Sequence, residues 1–318
     1  MRALAIAAAS LLLSAAPTPD DNAARTEDIV VTAVRSGIPV WRVVGPRTTL
    51  VLVGTIREVS PQVRWDAASL TEALRKSDRV MFPGSVRYTA SILSARGLES
   101  RTKKMAVLPE GQSLSQFLPP GASDRLAALG ASGLLKPGFE RRHPLAVANE
   151  LIGNTLGLGG GGFLQITKVR PGYGDAADYI KAAVKKYHLN LVPIPEAKLK
   201  PVLKGYLAAS PADHVPCLLA AIALAEAGTG ANRIRSNDWA HRRVPETLAS
   251  PAQKAFDACL PEAMREEASP EVRDIVRGLL EEPEVTVAAL ELGALADPGG
   301  ILDSLQAEGF EIRGPAWK

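Results

Sequence analysis

The residues able to do chemistry are few in this chain, and their spacing is uninviting. His143, His188, His214 and His241 are its only histidines. No two lie at i,i+3 or i,i+4, so no helix face presents a pair of imidazoles to a metal. His143 follows Arg141–Arg142 and His241 precedes Arg242–Arg243; both read as solvated polar positions. No G-x-S-x-G elbow raises a nucleophilic serine, neither cysteine has a histidine placed beside it, and no G-x-x-x-x-G-K-[ST] loop is present to cradle phosphate. Gly157, Gly159 and Gly162 match G-x-G-x-x-G. A helical stretch precedes them and the strand-like 163–168 follows, the reverse of the order a dinucleotide site needs, so the segment reads as a loop. Cys217 and Cys259 are the only cysteines. In an oxidising compartment they can bond; as thiols they would pack as small hydrophobes. The sequence leaves both open.

The elements that would position such residues alternate between strand and helix. Val40–Val44 and Thr48–Thr55 read as a hairpin around Gly45–Pro46–Arg47, and the continuous apolar run Leu50–Val53 suits a strand buried on both faces. Trp65–Ser77 has apolar residues at helical spacing, and Arg79–Phe82 is a second strand, completing a βαβ unit. Residues from about 90 to 160 read as a helical block, with Ser123 expected as an N-cap and Pro144–Leu156 amphipathic. Asp175–Tyr187 is expected as a helix with Asp175 as its cap, Leu189–Ile194 as a strand, and Leu199–Leu207 and Val215–Ala227 as helices. Val285–Leu290 reads as a buried strand, Leu295–Gly299 as a loop, Gly300–Glu308 as a helix and Phe310–Ile312 as a last strand. Sheet elements from both ends of the chain imply one α/β domain with a central mixed sheet.

Composition supports a globular protein. Of 318 residues, 46% are hydrophobic and 22% charged, with a formal net charge of +3. So even a balance, without a basic stripe, gives no case for nucleic acid as a partner. With aromatics at 5%, a stacking platform for bases or sugars is not expected. Met1–Arg2, the apolar run Ala3–Leu13 and the small residues Ser14–Ala16 have the layout of a signal peptide cleaved after Ala16. Residues 17–36 then form a flexible leader before a domain spanning 37–318. No later run is long and apolar enough to span a bilayer, so a periplasmic or secreted location is expected.

Several pieces, in order, resemble the TraB/GumN family. They are Ile38-Pro-Val-Trp-Arg-Val43, then Leu50-Val-Leu-Val-Gly54-Thr-Ile-Arg57, then a helix ending in Ser77–Asp78. Leu108-Pro-Glu-Gly111 follows, then Arg235 four residues ahead of Trp239, and finally Gly300-Ile-Leu302 to Gly309–Phe310. The family is related to the Tiki proteases and similar in fold to the erythromycin-esterase/ChaN-like group. The resemblance therefore implies an α/β domain with a helical insertion. It also implies a site in which two Gly-x-x-His motifs and an early carboxylate gather around a divalent metal that activates water.

This chain departs from that pattern at each place. The first motif reads Gly54-Thr-Ile-Arg57, and a guanidinium has no lone pair for a metal. The second aligns with Glu291-Leu-Gly293-Ala294, where Ala294 has no donor atom. Pro83 stands where the early carboxylate follows the second strand, and Glu196 after Pro195 is displaced from the family's later acid. Glu58 and Glu291 flank the altered motifs as candidate substitute oxygens, Glu58 also reading as a solvated loop residue. Arg57 and Glu291 can alternatively form an ion pair where the metal would sit. Arg235 and Trp239 read either as cleft residues or as structural anchors. The expectation is an exported, non-catalytic pseudoenzyme or binding protein without a cofactor. Its cleft would favour an anionic group, and its candidate partners are a peptide, a glycan or an envelope protein. The alternatives are a metal-dependent hydrolase using substitute carboxylates such as Glu58, Glu196 and Glu291, and an accessory subunit of an envelope complex.

Overall fold

The computed structural model describes residues 37–82, 87–89, 106–157, 176–261, 264 and 270–318, with the backbone alone at 87–89. The expected signal peptide and leader at 1–36, Pro83, most of the glycine-rich loop, and Asp175 lie outside the described residues.

In chain order the strands are β1 (Val40–Val44), β2 (Thr49–Thr55), β3 (Arg79–Met81), β4 (Arg87–Thr89), β5 (Asn190–Leu191), β6 (Glu196–Lys198), β7 (Thr286–Glu291) and β8 (Glu311–Arg313). The helices are α1 (Ala68–Arg75), α2 (Ala122–Ala131), α3 (Pro144–Leu156), α4 (Ala176–Tyr187), α5 (Leu199–Ala208), α6 (Val215–Ala227), α7 (Ala231–Ala240), α8 (Val244–Ala249), α9 (Pro251–Ala258), α10 (Pro270–Glu281), α11 (Leu292–Ala296) and α12 (Ile301–Ala307).

Six strands form one mixed sheet in the order β5-β3-β7-β2-β1-β8. β1 and β2 are the expected antiparallel hairpin, with Val40 opposite Val53. The C-terminal strand β7 inserts between β2 and β3 and runs parallel to both. The sheet is thus assembled from both ends of the chain, and its two central strands are the continuous apolar runs. Leu50, Leu52, Val53, Val287, Ala288 and Leu290 are all buried, as strands covered on both faces require.

Two apolar cores result. One surrounds the sheet and includes Trp41, Leu70, Leu74, Trp239, Val276, Leu295 and Leu302. The other is mainly helical and joins Leu126, Leu151, Leu203, Leu218, Ile222 and Phe256 from α2, α3, α5, α6 and α9. Among the described residues no single helix is long and apolar enough to cross a membrane.

Local expectations need correction in four places. The expected Leu295–Gly299 loop begins two residues later, at Asp297, because Glu291 turns out of β7 directly into the helix-forming run Leu292–Ala296, which forms α11. The Leu189–Ile194 strand shrinks to Asn190–Leu191, since Pro193 cannot donate to a ladder. Ser123 lies inside α2, whose N-cap is Gly121 at φ 79°. His143 is buried rather than solvated, as is His214; their rings pack edge to face with centroids 5.2 Å apart.

Candidate functional site

The parallel register of β2 and β7 creates the site. Pairing runs from Leu50–Thr286 to Thr55–Glu291, and the Thr55 hydroxyl donates to the Leu290 carbonyl at 2.9 Å. The segments that leave the two strand ends therefore emerge side by side, the place where α/β sheets form crevices. Arg57 comes from one segment; Glu291, Gly293 and Ala294 come from the other.

The Nε of Arg57 lies 2.5 Å from Oε1 of Glu291, and the two side chains are 21% and 22% exposed. Around this pair is a cleft of about 230 Å³ lined by Arg57, Asp257, Leu260, Met264, Glu291, Gly293, Ala294 and Asp297. The altered fourth positions of both Gly-x-x-His-like motifs, Arg57 and Ala294, thus share one cavity.

A single face of α7 holds the β2 end in place. Asn232, Arg235, Ser236 and Trp239 follow the i, i+3, i+4, i+7 spacing that puts residues on one helix face. Trp239 Nε1 donates to the Gly54 carbonyl at 2.8 Å. Arg235 Nη2 donates to the carbonyls of Arg57 and, at 3.1 Å, Glu58. Asn232 Nδ2 donates to Glu58 O at 2.9 Å, and Ser236 Oγ accepts from Ser60 N at 2.9 Å. These bonds hold Glu58 at φ 49°, a left-handed conformation uncommon for a residue with a side chain.

Arg235 and Trp239 are both fully buried, hold the loop through these hydrogen bonds and are not among the cleft-lining residues. The Arg235 guanidinium lies over the Phe256 ring at 4.7 Å. Burial depresses its pKa to about 10, against the opposing charges of Glu291, Asp257 and Glu58.

Gln253 links this anchor to the cleft. It accepts from Arg235 Nη1 at 2.9 Å and donates to Asp257 Oδ1 at 2.9 Å. Burial, then the charges of Glu291 and Asp297, push the Asp257 carboxyl up to about 6. Desolvation also raises Asp297 at the rim. Sequence reasoning missed Gln253, Asp257 and Asp297, which sit in no motif. The only signal for Asp257 is its place two residues before Cys259. Cys217 and Cys259 form a disulfide joining the start of α6 to the end of α9.

The other candidate positions separate. Gly54 is packed beneath the site, where a Cβ would meet Leu292 Cδ1 at 2.6 Å and Trp41 Cζ3 at 3.1 Å. Glu58 contributes its carbonyl to the α7 grip and is not among the cleft-lining residues. Glu196 is exposed on β6 of the small two-stranded sheet.

Among the described lining residues, the carboxylates of Asp257, Glu291 and Asp297 stand with one cation, Arg57, which is paired with Glu291. A lining of this sign does not favour an anion. The residues do not fit the divalent metal that the resemblance implies. Arg57 and Ala294 offer no donor, and among the described residues no group of three or more His, Cys, Asp or Glu is arranged to hold a metal ion.

The TraB/PrgY/gumN family model matches residues 39–314, from the start of the hairpin to just beyond β8. The chain belongs to the TraB/PrgY/gumN family. That match takes in both altered motifs, the α7 grip and every residue lining the cleft. No curated protein and no solved structure matches the chain significantly.

Proposed function

We propose that this member of the TraB/PrgY/gumN family is a non-catalytic binding protein of the cell envelope, exported by a signal peptide at 1–16. In it an ion pair stands where the Tiki relatives gather a metal. The observation carrying this reading is the Arg57–Glu291 pair in a cleft that also contains Ala294. The guanidinium occupies the position with a permanent positive charge and no lone pair. The cleft keeps an apolar side, Leu260, Met264 and Ala294, beside its carboxylates. Such a lining suits a ligand with a cationic group on an apolar body, such as a peptide amine.

The substitute-ligand hydrolase is less well supported, because Glu58 and Glu196 stand outside the cleft. An accessory subunit would carry a large apolar patch. Among the described residues the exposed large hydrophobics Val44, Val107, Leu191 and Ile234 fall on separate elements.

Elemental analysis of the purified mature protein, after incubation with Mn²⁺, Co²⁺ and Zn²⁺ and gel filtration, tests the reading. Substoichiometric metal in all three samples is the expected result. One retained metal per chain would overturn it and make Asp257, Glu291 and Asp297 ligands.

A further inference from the structure

The helical core contains two buried imidazoles that the cleft does not use. His143 is 6% exposed and His214 2%. His143 is the N-cap of α3, and its Nδ1 accepts a hydrogen bond from the Leu145 N–H at 3.3 Å. His214 ends the 3-10 turn Pro211–His214 that leads into α6. Its Nε2 lies 3.1 Å from the Tyr206 carbonyl, which can only accept, so Nε2 carries the proton. Its ring also packs edge to face on Tyr206, with centroids 4.6 Å apart.

Four features oppose a proton on His143 Nδ1. The atom would change from an acceptor facing an N–H into a donor facing it. The new charge would sit at the positive end of the α3 dipole. It would also lie in an apolar core, where an unpaired charge is costly, against a second imidazole. Among the described residues the surrounding charges do not outweigh burial, although Asp213 favours a charged His214. Asp213 beside His214 is engaged by the Ser210 N–H and hydroxyl, each at 2.8 Å. Arg142 and Glu150, next to His143 in sequence and on α3, are paired with each other. On α6 the first turn, Val215–Leu218, carries no charge.

We propose that the His143–His214 pair is an acid-sensitive latch. Protonating it breaks the α3 cap and releases α3 from the turn that starts α6, opening the helical core while the sheet core stays folded. In support, burial and the neighbouring imidazole hold His143 down to about 4, and burial depresses His214 as well.

The site of the tryptophans separates the two cores. Trp41, Trp65, Trp239 and Trp317 all pack in the sheet core, so their fluorescence reports that layer, while far-UV circular dichroism reports all helices. On titration of the full mature protein from pH 7.5 to pH 3.5, helix signal is expected to fall before tryptophan emission shifts. His143→Asn and His143→Ser keep a capping oxygen but cannot take the proton. Each is expected to move the helix transition down by about one pH unit or more. Imidazole NMR of the unaltered protein is expected to show His143 titrating at about 4 and His214 below the ordinary imidazole value. Coincident transitions in the two optical signals, an unmoved transition in a folded cap variant, or a His143 titrating near the ordinary value would each overturn the latch. Should both variants fail to fold, the NMR titration decides alone.

Discussion

Arg57 and Glu291 belong to segments separated by most of the chain, yet their charged atoms lie 2.5 Å apart because β2 and β7 are parallel neighbours in register. Thr55 pairs with Glu291, so the side chain two residues beyond Thr55 reaches the last residue of β7. The pair is about four-fifths buried, between a surface ion pair of about 0–1 kcal/mol and a fully buried one. Glu291→Gln is therefore expected to cost about 1–2 kcal/mol, measured by urea unfolding at pH 7.5. Arg57→Gln in the same background should cost little more. Additive losses would mean that the two charges do not interact.

Gly54 is where the β2 end must be thin. Both of its neighbours there, Trp41 and Leu292, are completely buried, and its carbonyl holds Trp239. Gly54→Ala places a methyl 2.6 Å from Leu292 Cδ1. Overpacking of this kind costs about 1–3 kcal/mol. Leu292→Ala removes the clashing atoms, so the double variant should lose clearly less than the two single losses combined. If the losses simply add, the close approach is not what excludes a side chain at Gly54.

How far the sequence exposes this architecture depends on the range of the signal. Leu50–Val53 and Val287–Leu290 are unbroken apolar runs, so their burial on both faces is legible locally, as are the hairpin and the helix α3, although α3 is buried on nearly all sides rather than amphipathic. The motif departures at Arg57 and Ala294 are equally plain, because a guanidinium and a methyl cannot ligate a metal whatever surrounds them. The acidic lining is not legible. Asp257 and Asp297 become site residues only when α9 and the turn after α11 close on the strand ends, and no spacing in the sequence records that contact. The burial of His143 is hidden for a similar reason: Arg141 and Arg142 announce a solvated segment, whereas the imidazole turns inward to cap α3. Arg235 and Trp239 show their i,i+4 relation, but the loop they hold is gripped through backbone carbonyls, which no residue type advertises.

Asp257 gives the cleft a measurable pH dependence. Its folded pKa of about 6 lies above the ordinary 3.8, so the folded state binds this proton before the unfolded state does. The penalty for the buried carboxylate is present above pH 6 and is relieved as pH falls through that value. The full interval from 3.8 to about 6 corresponds to roughly 3 kcal/mol. Asp257→Asn keeps an acceptor for Gln253 and removes the charge, so it should stabilise the protein by about 1–3 kcal/mol at pH 8 and by little at pH 4. A gain that is the same at both pH values would show that charge burial is not its origin. This trend opposes that of His143, whose depressed pKa makes stability fall as pH drops from 6.5 toward about 4. The two contributions are separated by comparing each variant with the unaltered protein at the same pH.

The Cys217–Cys259 bridge adds stability next to the cleft wall. It closes a segment with a sequence separation of 42 residues, which in the chain-entropy account restricts the unfolded state by about 4 kcal/mol. Both cysteines are buried, so replacing them also removes packed sulfur. Cys259 lies between Asp257 and Leu260, and its carbonyl accepts from the Tyr206 hydroxyl at 2.9 Å. Cys217→Ala with Cys259→Ala is therefore expected to lower stability by about 2–4 kcal/mol in urea. Because the bridge acts mainly on the unfolded chain, the folded cleft should keep its raised carboxyl. Infrared or NMR titration of Asp257 in the double variant should still give a value near 6. A return to an ordinary aspartate value, with the protein still folded, would show instead that the disulfide itself holds α9 against the strand ends.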